Sequence, residues 1–332
     1  MKSPLLFKGD TRYAYASGVV RGLETYILSR ADYQKVFDAD VNQIGTVLTE
    51  IGYGGGEQNP EHALDTATEQ LFRNIQKLSK DKEFTDTLRL KFDFANTRTF
   101  MKSHLLDVEM PELLQWGTIP PDVLPRKIES FIDGEKSELP QCLKNAISAA
   151  KDMFLQFHSA VAIDSAIDRE YLKYLGSVLP DNEFFRRWFA IYSDWMNIKS
   201  FVRIMRSKLS HKLFWENFID GGDIPAEKFK NAIELDAESI PLAFSNTEYG
   251  IRLSEIIRLA FSGKLAPLDI FFRVKLVELN RYTRFCSYGP ELLWAYANIR
   301  LEEIGSLRTI LRAKGAKLTF DAIKEVISVV LE

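Results

Sequence analysis

Cysteine is nearly missing from this 332-residue chain: only Cys142 and Cys286 occur, far apart and outside any CxxC arrangement. That usage fits a reduced, cytoplasmic compartment, with both thiols acting as small buried hydrophobes. An excess of positive charge is also missing. Forty-three basic residues face forty-six acidic ones, a net charge of −3. Nucleic-acid binders usually declare themselves by a strong basic excess, so no nucleic-acid partner is expected. A locally basic helix stays compatible with that sum. No stretch approaches the roughly 18 uncharged apolar residues that span a bilayer, and Met1 to Asp10 lacks the apolar core of a signal peptide. Work at a membrane would therefore have to be done through partners.

Chemistry-bearing patterns are scarce as well. The four histidines, His62, His104, His158 and His211, are scattered and form no HExxH or i,i+4 pair, so no metal site is expected. The one glycine-rich loop, Ile51 to Glu57, lacks the GK[ST] of a P-loop and places an acid after its glycines. An acid there repels phosphate, and the segment reads as a turn between helices rather than a nucleotide site. An aspartate-rich DDxxD run and a GxSxG elbow are both missing. The expectation is a non-catalytic protein with no cofactor.

Helical periodicity dominates what is present. Across Pro60 to Leu78, Asn59 can cap, proline occupies the first turn, and Leu64, Ala67, Leu71, Ile75 and Leu78 form one apolar stripe. Arg12 to Arg30 predicts a second helix and Asn182 to Lys212 a long helix or a pair. No run shows clean period-two alternation between turn signals, so the fold class is all-α. Breaks fall at Gly52–Gly56, Gly117–Pro125, Pro180–Asp181, Gly221–Gly222 and Gly289–Pro290. At this length, and with 46% hydrophobic residues, two or three packed units are expected.

A long-period repeat supports three. Asp93-Phe-Ala-Asn96-Thr-Arg98-Thr-Phe100-Met-Lys102 recurs as Asp194-Trp-Met-Asn197-Ile-Lys199-Ser-Phe201-Val-Arg203, 101 positions on. A weaker copy runs from Glu303 to Arg312, with Ser306 in place of the amide and Ile310 in place of the aromatic. The alternative register at Asn298-Ile299-Arg300 lacks both the leading acid and the trailing base. The turn Trp116-Gly117-Thr118-Ile119-Pro120 matches Gly221-Gly222-Asp223-Ile224-Pro225, and Lys314 to Leu318 is a shorter counterpart. Units of 1–125, 126–235 and 236–332 follow. An acid at i and a base at i+5 lie about 140° apart on a helix, too far for a pair within it. The polar members are therefore expected to bridge to neighbouring segments and to build each copy.

One charge feature stands apart. Between Asp194 and Glu216 no acid occurs, while Lys199, Arg203, Arg206, Lys208, His211 and Lys212 do. This is either a solvated helix face or a surface for an acidic partner, with Trp195, Phe214 and Trp215 as apolar anchors. Candidate partner-binding residues are Lys199, Arg203, Arg206, Trp195 and Trp215, with Arg308 and Arg312 at the corresponding place of the third copy.

Four segments in order carry a family resemblance. Tyr13-Ala14-Tyr15-Ala16 with Val20-Arg21-Gly22-Leu23-Glu24 resembles the opening of the C-type connector family of bacterial and archaeal V/A-type ATPases, whose eukaryotic counterparts are called d. Leu48 to Gly54, the Asp93 and Asp194 blocks, and Pro290 to Leu311 resemble its later segments. The likeness spans Arg12 to Leu331, with Gly22 and Ser306 as departures. It implies three helical units around a pseudo-threefold axis, funnel-shaped. It also implies a rotor connector that receives the D and F subunits of the central shaft, sits on the membrane proteolipid (c-type) ring and touches no nucleotide. A helical adaptor outside any rotary ATPase is the alternative, but repeats of that class run roughly 34 to 47 residues.

Overall fold

A computed structural model describes residues 5–319 together with Ile323 and Ile327; Met1 to Pro4 and Leu331, where the resemblance ends, lie outside them. The described residues form helices and turns with no strand, so the chain is all-α. Seven helices matter below: α1 (Ala14–Leu23), α2 (Pro60–Leu78), α3 (Lys82–Leu106), α4 (Gln141–Phe157), α5 (Ala160–Val178), α6 (Glu183–Arg206) and α7 (Pro290–Gly315).

Local chemistry sets their ends. At α2 the Asn59 side chain accepts from the backbone N–H of Glu61 and His62, two of the donors a helix start leaves unpaired. The segment expected as one helix over Arg12 to Arg30 is interrupted. After α1 a 3₁₀ turn covers Glu24–Tyr26, Ile27 is extended, and Ser29 with Asp32 forms a capping box that starts a new helix at Arg30. Likewise α6 stops at Arg206, because Lys208 takes a left-handed conformation (φ 52°) and Ser210 caps the next short helix, His211–Glu216.

The chain folds as two compact units, one of Met1–Thr85, Asn182–Arg187 and Asp269–Glu332, the other of Asp86–Asp181 and Trp188–Leu268. In the first, the third repeat copy packs on the N-terminal segment. Leu28, Tyr33, Val36, Ile44, Leu48, Tyr53 and Leu64 share one core with Ile304, Leu307 and Ile310 of α7. Every residue from Pro290 to Ala297 is buried; all but Glu291 are apolar or aromatic, and its carboxylate accepts from Asn182. Within that stretch Trp294 meets the rings of Phe84 and Phe185, with centroids 5.4 and 5.8 Å away.

In the second unit, α4 and α5 pack as a hairpin. The left-handed His158 (φ 47°) ends α4, and Ser159 caps α5 by accepting from Val161 N–H. An aromatic core gathers Phe201, Phe214, Phe229 and Phe244, with centroids 5.1 to 5.8 Å apart and mostly edge-on, the arrangement the ring quadrupoles favour.

Candidate functional site

The repeated block has two chemically distinct halves. Its acid and amide staple the helix to a following turn. In the first copy Asp93 Oδ2 accepts from Thr118 N–H (2.7 Å) and its hydroxyl (2.8 Å), and Oδ1 accepts from Ile119 N–H (3.2 Å). Asn96 donates to Leu114 C=O (2.8 Å) and accepts from Leu114 N–H (2.7 Å). In the second, Asp194 accepts from Asp223 N–H (3.0 Å), Ile224 N–H (3.1 Å) and the Tyr249 hydroxyl (2.8 Å). Asn197 donates to Ile219 C=O (2.8 Å) and accepts from Ile219 N–H (3.0 Å).

The turn glycine is part of the same device. A Cβ on Gly117 would sit 2.1 Å from Asp93 Oδ1, and one on Gly222 would sit 2.2 Å from Asp194 Oδ1. The two turns matched by sequence thus do the same job on their own helices.

The third copy departs from this pattern. Glu303 is not bonded to the Lys314–Leu318 turn, where Leu318 N–H donates to Ala313 C=O. It accepts from Leu28 N–H (2.5 Å), the Tyr53 hydroxyl (2.9 Å) and Arg300 (2.7 Å), so the start of the chain supplies what a turn supplies elsewhere. Ser306, at the amide position, is buried and its hydroxyl has no partner. Burial pushes all three motif acids above the ordinary carboxylate range, Asp194 to about 6, despite the donors around each.

The basic half points elsewhere. Arg98 bonds Asp168, while Lys102 (3.3 Å) and Arg203 (2.6 Å) both donate to Asp164 Oδ2. Asp164 and Asp168 stand one turn apart on α5. The bases of copies one and two therefore meet on a single helix between them. A pocket of about 450 Å³ opens there, lined from α3 by Lys91, Phe94, Ala95, Arg98 and Lys102 and from α6 by Tyr192, Trp195, Met196, Lys199 and Arg203. Each α6 residue is the repeat counterpart of the α3 residue in the same position, 101 along. Burial raises the Asp168 carboxyl above its usual range, with Arg98 and Lys199 opposing the shift. In the first unit Arg308 takes the corresponding kind of partner, Glu61 (3.2 Å) and Asp65 (2.6 Å), again acids one turn apart, on α2.

Of the residues singled out from sequence, Trp195, Lys199 and Arg203 line one pocket, and Lys199 lies over the Trp195 ring at 5.8 Å. Arg206 is exposed at the end of α6. Trp215 is half-buried against Phe214 and Phe218, with Lys230 over its ring. Arg312 is exposed on α7. Sequence reasoning missed Asp164, Asp168 and Tyr249. A signal for the first two exists in the i,i+4,i+7 stripe Asp164, Asp168, Tyr171, which sets two acids on the same side of α5; none marks Tyr249. Among the described residues no cluster of three or more His, Cys, Asp or Glu could hold a metal ion, and no helix is long and apolar enough to cross a membrane.

The model of a family described as ATP synthase (C/AC39) subunit matches residues 16–326. The C subunit of the A-type ATP synthase of Methanosarcina acetivorans is 19% identical over a 351-residue alignment covering 99% of this chain and 96% of that protein.

Proposed function

We infer the role of this chain from a firm premise: it belongs to the ATP synthase (C/AC39) subunit family, and so to the components of V/A-type rotary ATPases. It acts as the non-catalytic connector of the central stalk, joining a D–F shaft to the proteolipid ring during ATP-driven ion transport or ATP synthesis. It is peripheral, on the cytoplasmic side, and held to the membrane through the complex.

The observation that carries this reading is the repeated staple. In copies one and two a buried acid and amide make five hydrogen bonds each, all to the following turn in the first copy and four to the turn plus one from Tyr249 in the second. A coupler that passes torque must resist local shear, and closely packed interiors with satisfied polar staples do so. Lys199, Arg203, Arg206 and Trp195 form the proposed partner-facing set, with Trp215, Arg308 and Arg312 as further contacts.

Size exclusion of the purified chain mixed with the D–F pair tests the reading. A stable complex at micromolar concentration is expected at low and moderate salt, and separate elution at both would sink it. For the surface contacts Arg206→Glu is the clean perturbation, since Arg203 also holds Asp164.

A further inference from the structure

We propose that the pocket formed by α3, α5 and α6 is a socket for an acidic, aromatic-bearing segment of a protein partner. Five cations line it, Lys91, Arg98, Lys102, Lys199 and Arg203, against two carboxylates, Asp164 and Asp168. Three of those cations already crowd the two carboxylates. Asp164 Oδ1 is shared in the same way, with Lys102 Nζ at 3.3 Å and Arg98 Nε at 3.8 Å. With five cations to two carboxylates, the lining carries a net positive charge, and an added carboxylate is the ligand that charge favours.

The walls complete the fit. Phe92, Tyr192 and Trp195 add apolar, partly polarisable surface around the charges, the mixture from which interface anchors are built. About 450 Å³ admits one ring with a neighbouring carboxylate, but not a whole helix. The site also shows which charge it suits. It already holds two single carboxylates one helical turn apart, and those carboxylates repel a multiply charged phosphate more than a single carboxylate. The identity of the partner as a component of a rotary ATPase rests on the connector reading above; the preference for acid does not.

The test uses the full chain and a fluorescein-labelled synthetic hexapeptide of alternating glutamate and phenylalanine, beside its glutamine counterpart. Anisotropy titrations at low ionic strength should show saturable binding of the acidic peptide, at least tenfold tighter than the glutamine form and weakened by added salt. Lys199→Gln and Lys91→Gln should each lower that affinity several-fold, with circular dichroism confirming unchanged helicity. If Lys199→Gln fails to fold, Lys91→Gln and the salt series decide alone. Addition of peptide should shift the Trp195 indole N–H resonance, assigned through Trp195→Phe. Equal affinity for the two peptides, or binding that leaves the Trp195 indole unmoved, overturns the proposal. No ATPase partner enters this assay, so failed co-elution with the D–F pair would refute the connector reading without deciding the socket.

Discussion

Gly222→Ala is a one-carbon change that should cost more than most core truncations. Neither Gly222 nor Gly117 has a positive φ, so backbone strain is not the issue. The new Cβ would stand 2.2 Å from Asp194 Oδ1 and 3.0 Å from its Cγ, well inside contact distance. To make room, the carboxylate must retreat from Asp223 N–H, Ile224 N–H and the Tyr249 hydroxyl. Hydrogen bonds to a charged group are worth about 1.5–3 kcal/mol each, and an acid left buried without them is penalised further. Partial movement of the turn recovers some of this, so a loss of about 3–5 kcal/mol is expected. The control is Gly18→Ala in α1, where an added Cβ meets nothing within 4 Å. There alanine should stabilise by roughly 0.5–1 kcal/mol through helix propensity alone.

Guanidinium unfolding followed by tryptophan fluorescence and far-ultraviolet circular dichroism gives both numbers. A chain of two compact units need not unfold in one step, so each resolved transition is fitted separately. A double-mutant cycle pins the cause: in an Asp194→Ala background the cost of Gly222→Ala should shrink by about 1 kcal/mol or more, on the order expected for groups in contact. A Gly222→Ala protein within about 0.5 kcal/mol of the parent, or a cycle with no coupling, would refute the reasoning.

Three further outcomes follow from the same staples. Asn197→Ala leaves Ile219 N–H and C=O unpaired in a buried place and should cost about 2–4 kcal/mol by chemical denaturation, whereas Asn96→Ala should cost less, because Leu114 is 46% exposed and water can replace the amide. Ser306→Ala, which removes a buried hydroxyl that bonds nothing, should be neutral or slightly stabilising in a thermal melt. The Asp194 carboxyl, raised by burial from an ordinary 3.8 to about 6, favours the protonated folded state; its stabilising share is full below about pH 4 and is lost as pH rises through 6, about 3 kcal/mol in all. Stability of the parent minus that of Asp194→Asn, measured from about pH 4 to 7, should fall by that order, and a flat difference would remove the assignment.

How much of this was legible in advance depends on where the partner of each residue lies. Pro60 to Leu78 could be read to the residue, because its cap, first-turn proline and stripe are all local. The match of the Trp116–Pro120 and Gly221–Pro225 turns was legible as a pattern, though its reason was not. The glycine is needed because a carboxylate 24 or 28 positions earlier presses against it, and no local rule contains that contact. The bases behaved in the same way. Arg98 and Arg203 announce a motif, but only the fold brings both to α5, where Asp164 and Asp168 belong to no repeated block of their own.

The third copy makes the strongest case that the acid position matters more than its turn. Analogy with the first two copies places its turn just after the block, at Lys314 to Leu318. Glu303 instead takes Leu28 N–H and Tyr53 from the other end of the chain, and the amide position has decayed to a serine without a bond. A buried carboxylate must be given donors from somewhere, since burial alone already holds Glu303 above its usual range. Where the local turn no longer supplies them, the N-terminal segment does. Removing those donors should therefore expose the dependence: deletion of the Tyr53 hydroxyl by Tyr53→Phe keeps the ring but leaves Glu303 with one donor fewer. We expect a loss of about 1–3 kcal/mol, larger than for Tyr26→Phe, whose side chain is 64% exposed. Equal effects of the two substitutions in thermal denaturation would mean that Glu303 does not depend on the Tyr53 hydroxyl and that its remaining donors, Leu28 N–H and Arg300, suffice.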